Sequence, residues 1–287
     1  MSPQKWILVT GASTGIGRAV TEYLTSHGFS VYAGARKPSD LEDLAKIENV
    51  IPLALDVTKN DDVTAAVEFV NKQGTGLFAL VNNAGIASAG PLMDIPESEL
   101  EEQLEVNLIG VHRVTKAFFP LILASRGRII MMSSNSGFFA APFFGPYNAS
   151  KFALEGYADS LRRELLLYDV KVVIIQPGNI NTPIWKKGEQ LLDKFPDSMF
   201  KVEARKLGEY AIKKGSTRGL PPRKVAEAVY KGLIKKKPKL RYLIAPDRLR
   251  NFFLKRFPAS WVDNIIKNEL KKLKSEKQIS KIKEQKA

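Results

Sequence analysis

The sequence predicts an α/β protein built on a doubly wound parallel sheet. Short runs of β-branched and other apolar residues alternate with longer amphipathic segments along most of the 287 residues. This alternation is typical of parallel strands joined by helices that cover both faces of the sheet. Most strand candidates are almost uninterrupted apolar runs, as expected when neither face meets water. No internal repeat and no Gly/Ser-rich linker divides the chain, so we predict one domain.

Each element follows from its own local pattern. About seven strands are predicted from β-branched and apolar runs, at 6–10, 30–35, 50–55, 77–81, 127–133, 170–176 and 240–245. Amphipathic segments predict helices at 16–26, 61–72, 97–123, 147–168 and 222–234. We expect the domain to span 1–248. Within it, residues 182–219 are highly charged and weakly periodic, which we interpret as a mobile substrate lid.

Beyond residue 248 the chain becomes a basic tail, 249–287. Apolar residues recur at helical spacing with lysines between them, at Trp261, Val262, Ile265, Ile266, Leu270 and Leu273. This pattern predicts an amphipathic helix that could lie on an anionic membrane surface. The alternative is that the apolar stripe packs on the domain or on a second subunit.

Composition excludes several kinds of chemistry. The chain has 44 Lys and Arg against 30 Asp and Glu, a net charge of +14, which favours anionic partners such as a phosphorylated cofactor, a membrane or nucleic acid. The basic tail lacks interleaved stacking aromatics, so we predict no nucleic-acid partner. There is no cysteine, and the two histidines, His27 and His112, leave little material for a metal site or a Ser-His-Asp hydrolase. We predict no metal.

We also expect no signal peptide and no membrane-spanning segment. The apolar run at residues 6–9 is too short for a signal peptide. No apolar stretch approaches the roughly 18 residues that span a bilayer. We therefore expect a cytoplasmic protein with, at most, peripheral contact at a membrane surface.

A glycine-rich turn follows the first predicted strand and precedes a helix. Gly11 permits the tight turn, Gly15 lets the backbone approach a pyrophosphate, and Gly17 lets the helix pack close to the strand. The anion would rest on the helix N-terminus, where free N–H groups and the helix dipole favour negative charge. We predict a Rossmann-like dinucleotide site whose loop contributes Gly11, Ser13, Thr14, Gly15, Ile16 and Gly17.

The end of the second strand indicates which dinucleotide is preferred. An NAD site usually has an acidic residue there to hold the ribose hydroxyls. This strand ends in Ala35 and Arg36, followed by Lys37, with no carboxylate before Asp40. Arg36 would bind a 2′-phosphate well. We predict NADP(H), and NAD(H) remains the alternative because Arg36 and Lys37 also fit a solvated strand end.

Several short motifs occur in a fixed order, namely the glycine loop, Asn82-Asn83-Ala84-Gly85, Asn107, Ser134, Tyr147-x-x-x-Lys151 and Pro177-Gly178. Together they resemble the short-chain dehydrogenase/reductases over about residues 4 to 245. Within that family the chain resembles hydroxysteroid and retinol dehydrogenase-type members.

The resemblance implies a catalytic set. Tyr147 would be the general acid/base, and its pKa would be lowered by Lys151 and by the positive nicotinamide of the oxidised cofactor. Lys151 would also hydrogen-bond the nicotinamide ribose. Ser134 would hold the substrate oxygen, so Ser134 and Tyr147 are also the expected substrate-binding residues. Ser133 and Ser136 are rivals whose alternative role is strand-end and turn hydrogen bonding.

The resemblance also implies a water-holding residue and the remaining cofactor contacts. Asn107 would hold a water that links Lys151 to solvent, or else would be structural. The other cofactor-binding residues would follow the third, fourth and sixth strands, at Asp56, Val57, Asn83, Ala84, Gly85, Pro177, Gly178, Ile180 and Thr182. Ligands of open α/β sheets bind at these carboxyl ends.

Aromatic residues surround the predicted catalytic tyrosine and occur in the lid, at Phe138, Phe139, Phe143, Phe144, Trp185, Met199 and Phe200. They suggest a pocket for a lipophilic alcohol or carbonyl compound that is steroid-, retinoid- or lipid-like. Core packing or a subunit interface is the competing interpretation.

We therefore predict an NADP(H)-dependent oxidoreductase that interconverts an alcohol and its ketone or aldehyde. We expect it to be a homo-oligomer, either a dimer or a tetramer. The alternatives are an NAD(H)-preferring enzyme of the same family and a membrane-associated scaffold without catalysis.

Overall fold

Seven parallel strands form one sheet in the order β3-β2-β1-β4-β5-β6-β7. The computed structural model describes residues 4–246, 254 and 256–284, with the backbone alone at 187 and 274–284. The strands are β1 Trp6–Val9, β2 Ser30–Ala35, β3 Val50–Ala54, β4 Ala79–Asn82, β5 Arg128–Met132, β6 Lys171–Pro177 and β7 Arg241–Ile244. The predicted doubly wound α/β fold with about seven strands is confirmed.

The strand order reverses between β1 and β4. Ile7 of β1 pairs with Val31 of β2 on one side and with Ala79 of β4 on the other. In open α/β sheets the crevice outside the carboxyl ends of the strands at such a switch point binds the ligand. The fold therefore directs the predicted glycine loop and the end of β4 to one crevice.

Helices cover both faces of the sheet. They are α1 Gly15–Thr25, α2 Pro38–Leu44, α3 Asn60–Gln73, α4 Glu97–Leu104, α5 Gly110–Ala124, α6 Gly145–Glu164, α7 Ile184–Glu189, α8 Lys201–Arg218, α9 Arg223–Ile234 and α10 Ala259–Glu284. A π-helical turn, Glu105–Ile109, separates α4 from α5, and 3-10 turns occupy Asn135–Gly137 and Leu165–Tyr168.

Two apolar clusters form the core, one on each face of the sheet. Leu8 and Leu80 point into the cluster that contains residues of α3, α5 and α6, whereas Ile7 and Val81 point into the cluster with α1 and α9. Successive residues of a strand face opposite sides, so a strand covered on both sides must be apolar throughout. This is why the strands were visible in the sequence.

The sequence pattern missed or merged some helices. The predicted helix 97–123 is interrupted by the π-helical turn, which apolar periodicity does not reveal. The short helix α2 begins with Pro38 and was not predicted. The region 182–219, predicted to be a lid, contains α7 and α8, and Gly215 is the one buried residue of α8 in the described structure. A helix with so little burial carries a weak apolar stripe.

One helical run among the described residues, Glu97–Ala124, is long and apolar enough by length and composition to cross a membrane. The expectation that no stretch approaches this length was therefore wrong. The apolar face of this run packs in the core, since Val114, Phe118 and Ile122 are fully buried. The buried core helix of a soluble protein can have the same length and apolar composition as a membrane-spanning helix, so these two properties are weak evidence for a membrane span.

The basic tail forms α10, which packs against α8. Its half-buried apolar side chains recur at helical spacing, at Val262, Ile266, Leu270 and Leu273. Trp261 and Ile265 are exposed. Most of the predicted stripe thus packs on the domain, and two residues of it face outward. The predicted boundary between 248 and 249 lies outside the described residues.

Candidate active site

Tyr147 and Lys151 lie one turn apart near the start of α6. The helix begins at Gly145 with a proline in its first turn, where the fixed φ of proline favours helix initiation. Lys151 is buried, its Nζ lies 5.6 Å from the Tyr147 ring centre, and it donates a 2.8 Å hydrogen bond to the carbonyl of Met132 at the end of β5. The local helix geometry and strand β5 together fix the ammonium beside the phenol.

Burial dominates the acidity of both groups. It lowers the pKa of Lys151 to about 8, and the negative charge of Glu155 opposes this change. Burial raises the pKa of Tyr147, and a hydrogen bond with Ser134 only partly offsets this. In the protein without cofactor, removing a phenolate from water outweighs the favourable contacts. The expected lowering, which also depends on the positive nicotinamide of the oxidised cofactor, stays a prediction.

Ser134 is the serine that meets Tyr147. It follows β5, and its Oγ lies within donating distance of Asn135 Oδ1 at 3.1 Å and of the Pro177 carbonyl at 3.3 Å. The backbone N–H of Ser136 donates to the same Oγ, which matches the turn role considered for Ser136. Ser133 Oγ is buried without a partner among the described residues. This geometry favours Ser134 over both rivals.

Asn107 lies in the π-helical turn, a kind of turn that often marks functional sites. Its Oδ1 accepts from the N–H of Ile86 at 2.9 Å, and its Nδ2 donates to the Ile86 carbonyl and to Ser150 Oγ. Both amide hydrogens are thus used to tie the loop after β4 to α6. The side chain matches the structural role left open for it.

The glycine loop has the shape that a pyrophosphate needs. Gly11 and Gly15 have φ angles of 62° and 57°, which side chains other than glycine rarely adopt. A Cβ on Gly17 would overlap the carbonyl oxygen of Gly11. The first turn of α1 has no acidic residue, and its N-cap Thr14 makes no side-chain cap bond, so N–H groups remain for an anion.

Thr10 and Asn83 brace this loop. Asn83 Nδ2 donates to the carbonyls of Thr10 and Gly11, both at 3.0 Å. Thr10 Oγ1 accepts from the N–H groups of Asn83 and Ala84. The Asn83 side chain therefore supports the cofactor loop. Thr10 was missed by the sequence reasoning, although a polar residue at the end of an apolar strand beside Gly11 was an available signal.

The residues expected around the adenosine lie at the ends of β2 and β3. Arg36 is 63% exposed and its guanidinium lies 3.8 Å from Asp56. Burial acts to raise the pKa of Asp56, but hydrogen bonds from Thr58 and the charge of Arg36 lower it overall. Val57 is buried next to Asp56. A cationic side chain thus faces solvent where a 2′-phosphate is expected.

The segment after β6 meets the glycine loop from the other side. The Gly178 N–H bonds the carbonyl of Ile244, and Ile180 pairs with Leu220 at the base of the lid. Thr182 approaches Gly15 closely, since a Cβ on that glycine would lie 3.5 Å from Thr182. Gly15 and Thr182, which were predicted from separate motifs, are thus neighbours. The glycine loop and the segment after β6 therefore lie side by side.

The region 182–219, predicted to be a lid, contacts α4 and the loop after β5. Lys194 forms a 2.6 Å ion pair with Glu99, which also accepts from Ser88 at 2.8 Å. The rings of Phe143 and Phe200 lie 6.0 Å apart. Two of the aromatics predicted to surround the substrate therefore meet between the loop after β5 and the lid.

Glu155 is a further residue that the sequence reasoning missed. It lies one turn beyond Lys151 on α6 and accepts hydrogen bonds from Gln176 Nε2 and Arg241 Nε, both at 2.9 Å. The signal was present, because a carboxylate four residues after Lys151 shares its helix face.

The comparisons with known proteins agree with this geometry. A family model described as short chain dehydrogenase matches residues 5–191, and the chain belongs to this family of oxidoreductases. The NADPH-dependent 3-dehydrocapnine reductase of Ornithobacterium rhinotracheale is 36% identical over 285 residues, covering 95% of this chain and 99% of that protein. The resemblance stated from the motifs is confirmed.

Two other similarities extend the comparison. The 3-ketodihydrosphingosine reductase of Bacteroides thetaiotaomicron is 34% identical over 256 residues, covering 86% of this chain and 89% of that protein. An actinorhodin polyketide ketoreductase solved with NADPH superposes with a TM-score of 0.74 at 26% identity, covering 88% of this chain and 98% of that one.

Proposed function

We propose that the protein is an NADP(H)-dependent carbonyl reductase that interconverts a lipophilic ketone or aldehyde and its alcohol, with Tyr147 as general acid/base. The observation that carries this proposal is the arrangement of three groups. The Lys151 ammonium, held by the carbonyl of Met132, lies beside the ring of Tyr147, and Ser134 hydrogen-bonds the same tyrosine.

The residues divide the reaction between them. When bound, NADPH supplies the hydride that the carbonyl carbon accepts. Tyr147 donates its phenolic proton to the carbonyl oxygen, and Ser134 hydrogen-bonds that oxygen as negative charge develops. Lys151 stabilises the phenolate left behind. Burial raises the pKa of Tyr147, so in the protein alone the phenol keeps the proton that it would donate.

The cofactor is NADP(H). Gly11, Gly15 and Gly17 leave room for the pyrophosphate, and Arg36 supplies a cation for the 2′-phosphate. One relative is named as NADPH-dependent, and a structural neighbour was solved with NADPH. These observations support NADP(H) over NAD(H).

A lipophilic substrate is supported by the aromatic surroundings and by one relative. Phe143 and Phe200 meet across the cleft between the loop after β5 and the lid. A relative of this chain is named for the reduction of 3-ketodihydrosphingosine. We propose a lipid-like ketone as the substrate class.

The test is NADPH oxidation with a panel of ketones and aldehydes, followed by nicotinamide absorbance. Tyr147→Phe should lose roughly 10²- to 10⁴-fold in kcat because the proton donor is gone. Tyr168→Phe, an exposed tyrosine beyond α6, is the matched control and should keep full activity. Undiminished turnover by Tyr147→Phe would contradict the mechanism. A scaffold without catalysis would show no turnover in any variant.

Peripheral membrane contact of an otherwise cytoplasmic enzyme is a further part of the proposal. It is supported by exposed Trp261 and Ile265 on the lysine-rich α10. Co-sedimentation with anionic vesicles should fall when both residues are replaced by serine. Equal binding of the variant and the parent would dismiss the contact.

A dimer or tetramer is likewise proposed. Ile109, Leu166 and Leu167 are large apolar side chains on the described surface, and such residues favour subunit contacts. Light scattering during size-exclusion chromatography should give a mass of two or four chains. A mass of one chain would contradict this proposal.

A further inference from the structure

The loop that follows β4 is held in place by side chains. Its residues 83–89 belong to neither a helix nor a strand. The backbone N–H groups of Asn83, Ala84, Ile86 and Ser88 each donate to a side-chain oxygen from another segment. Backbone polar groups that are removed from water need such partners. The side chains that supply them therefore determine where this loop lies.

Gln103, near the end of α4, holds the middle of this loop. Its side chain is fully buried. Its Oε1 accepts from the Ser88 N–H at 2.7 Å, and its Nε2 donates to the Ile86 carbonyl at 2.8 Å. Asn107, one helical turn further along, bonds both the N–H and the carbonyl of Ile86. Two buried amides thus fix the backbone of the loop at Ile86 and Ser88.

Ser88 connects this loop to the region 182–219 through Glu99. The Ser88 hydroxyl donates to one carboxylate oxygen of Glu99 at 2.8 Å, and Lys194 lies 2.6 Å from the other. Burial acts to raise the pKa of Glu99, but hydrogen bonds from Lys194 and Ser88 lower it overall. The carboxylate is therefore ionised at neutral pH and is shared between the loop after β4 and the region 182–219.

The same chain of bonds continues to the candidate catalytic helix. Asn107 Nδ2 donates to Ser150 Oγ at 3.1 Å, and Ser150 Oγ donates to the carbonyl of Tyr147 at 2.8 Å. Polar contacts thus run without a break from the Lys194 ammonium to the backbone of Tyr147. Side-chain networks of this kind can contribute more than the sum of their separate bonds.

Both regions that Glu99 joins also reach the glycine loop. Asn83, at the start of the loop after β4, donates to the Gly11 carbonyl. Thr182, at the start of the region 182–219, lies next to Gly15. An ion pair between exposed side chains contributes little by itself. The Glu99 side chain is only 18% exposed, and its two oxygens join two segments that border the same loop.

We propose that Glu99 and Lys194 are positioning residues that couple the region 182–219 to the loop after β4, so that both close on the cofactor together. They act through Ser88 and Gln103. Coupling of this kind is reciprocal, so a change in one region alters the other. The inference rests on the proposed function for the identity of the cofactor, NADP(H). The coupling can nevertheless be measured without it.

The first experiment measures amide hydrogen exchange in the protein without cofactor. Lys194→Gln removes the charge that holds Glu99, so the amides of residues 86–88 should exchange roughly fivefold faster, although they belong to a different segment. Lys201→Gln makes the same change at an exposed lysine of α8 and should leave these amides unchanged. Unchanged exchange at 86–88 in Lys194→Gln would overturn the coupling.

The second experiment measures NADPH binding by calorimetry. Glu99→Gln and Lys194→Gln should each weaken it by roughly fivefold, whereas Glu102→Gln, at an exposed position of α4, should not. The double variant Glu99→Lys with Lys194→Glu restores an ion pair of opposite polarity, and the Ser88 hydroxyl can accept a bond instead of donating one. This double variant should bind NADPH more tightly than Glu99→Lys alone. Equal binding by the two would overturn the proposed pairing.

The outcomes separate the coupling from the proposed function. If the unmodified protein does not bind NADPH, the proposed function fails, and exchange at residues 86–88 still decides whether the two regions are coupled. If NADPH binds equally well to the unmodified protein and to every variant, the proposal is overturned. It is also overturned if Lys194→Gln speeds exchange only within the region 182–219, because Glu99 would then not transmit the change to the loop after β4.

Discussion

Glu155 accepts a 2.9 Å hydrogen bond from Nε of Arg241, which ties the candidate catalytic helix to the first residue of β7. Gln176 of β6 donates to the other oxygen of Glu155, and a second Arg241 nitrogen pairs with Asp159 at 3.0 Å. Residues of β6 and β7 thus hold the Glu155 carboxylate, whose negative charge raises the pKa of Lys151 against the effect of burial.

This contact predicts the pH dependence of carbonyl reduction. Reduction needs a protonated Lys151, whose pKa is about 8, so kcat/KM should fall as the pH rises through that value. Glu155→Gln removes the negative charge that raises the pKa of Lys151. The alkaline limb of the profile should therefore move to lower pH, by roughly one unit.

The control for this change is Glu164→Gln, an exposed glutamate on the same helix, which should leave the alkaline limb in place. A merely structural role for Glu155 would lower activity at every pH without moving the limb. That result would contradict the electrostatic role.

The hydroxyl of Ser134 is predicted to act on the substrate oxygen. Ser134→Ala removes a donor that is worth most when charge develops, so kcat should fall by roughly 10²- to 10³-fold with a small change in KM. Ser136→Ala is the matched control, since its backbone N–H and not its hydroxyl bonds Ser134. If Ser136→Ala lost more activity than Ser134→Ala, Ser136 and not Ser134 would be the residue that acts on the substrate oxygen.

Gly17 is predicted to be necessary for the packing of the cofactor loop. A Cβ there would overlap the Gly11 carbonyl and lie 2.5 Å from Asn83 Nδ2, so Gly17→Ala should lower Tm and weaken NADPH binding. Gly156→Ala is the opposite case, because nothing lies within 4 Å of its added Cβ in the middle of α6. It should stabilise the protein by up to about 1 kcal/mol. Thermal unfolding of both variants with and without NADPH measures stability and NADPH binding. Equal Tm values for Gly17→Ala and Gly156→Ala would refute the packing argument.

Arg36 is predicted to select the phosphorylated cofactor. Arg36→Ala should raise KM for NADPH by about 10- to 100-fold and leave KM for NADH nearly unchanged, since only NADPH carries the 2′-phosphate. Arg163→Ala is a close control, because Arg163 is 66% exposed and also lies 3.8 Å from an aspartate. Parallel losses with both cofactors would show that Arg36 does not read the phosphate.

Much of the fold was predictable because its causes are local. Strands buried on both faces must be apolar throughout, so β1, β2 and the others stand out as short apolar runs. The turn from β1 to α1 needs glycine where φ is positive, so the cofactor loop is visible in sequence. Tyr147 and Lys151 are neighbours through helix geometry alone.

The tertiary structure decided the features that depend on distant residues. Glu155 and Arg241 are 86 positions apart, and the Asn83 amide bonds carbonyls more than 70 positions away. Burial, which no local pattern measures, raises the pKa of Tyr147 and lowers that of Lys151.

A groove of about 730 Å³ beside α6 is lined by five segments, namely the loops after β4 and β5, α6 itself, the region 182–219 and α10, and it has no signature of its own in the sequence. The sequence by itself determined the strands, the glycine loop and the Tyr147–Lys151 pair, because backbone conformation and helical spacing are local properties. The tertiary structure alone decided which charges, amides and apolar walls surround that pair, because these contacts form only when the sheet brings distant segments together.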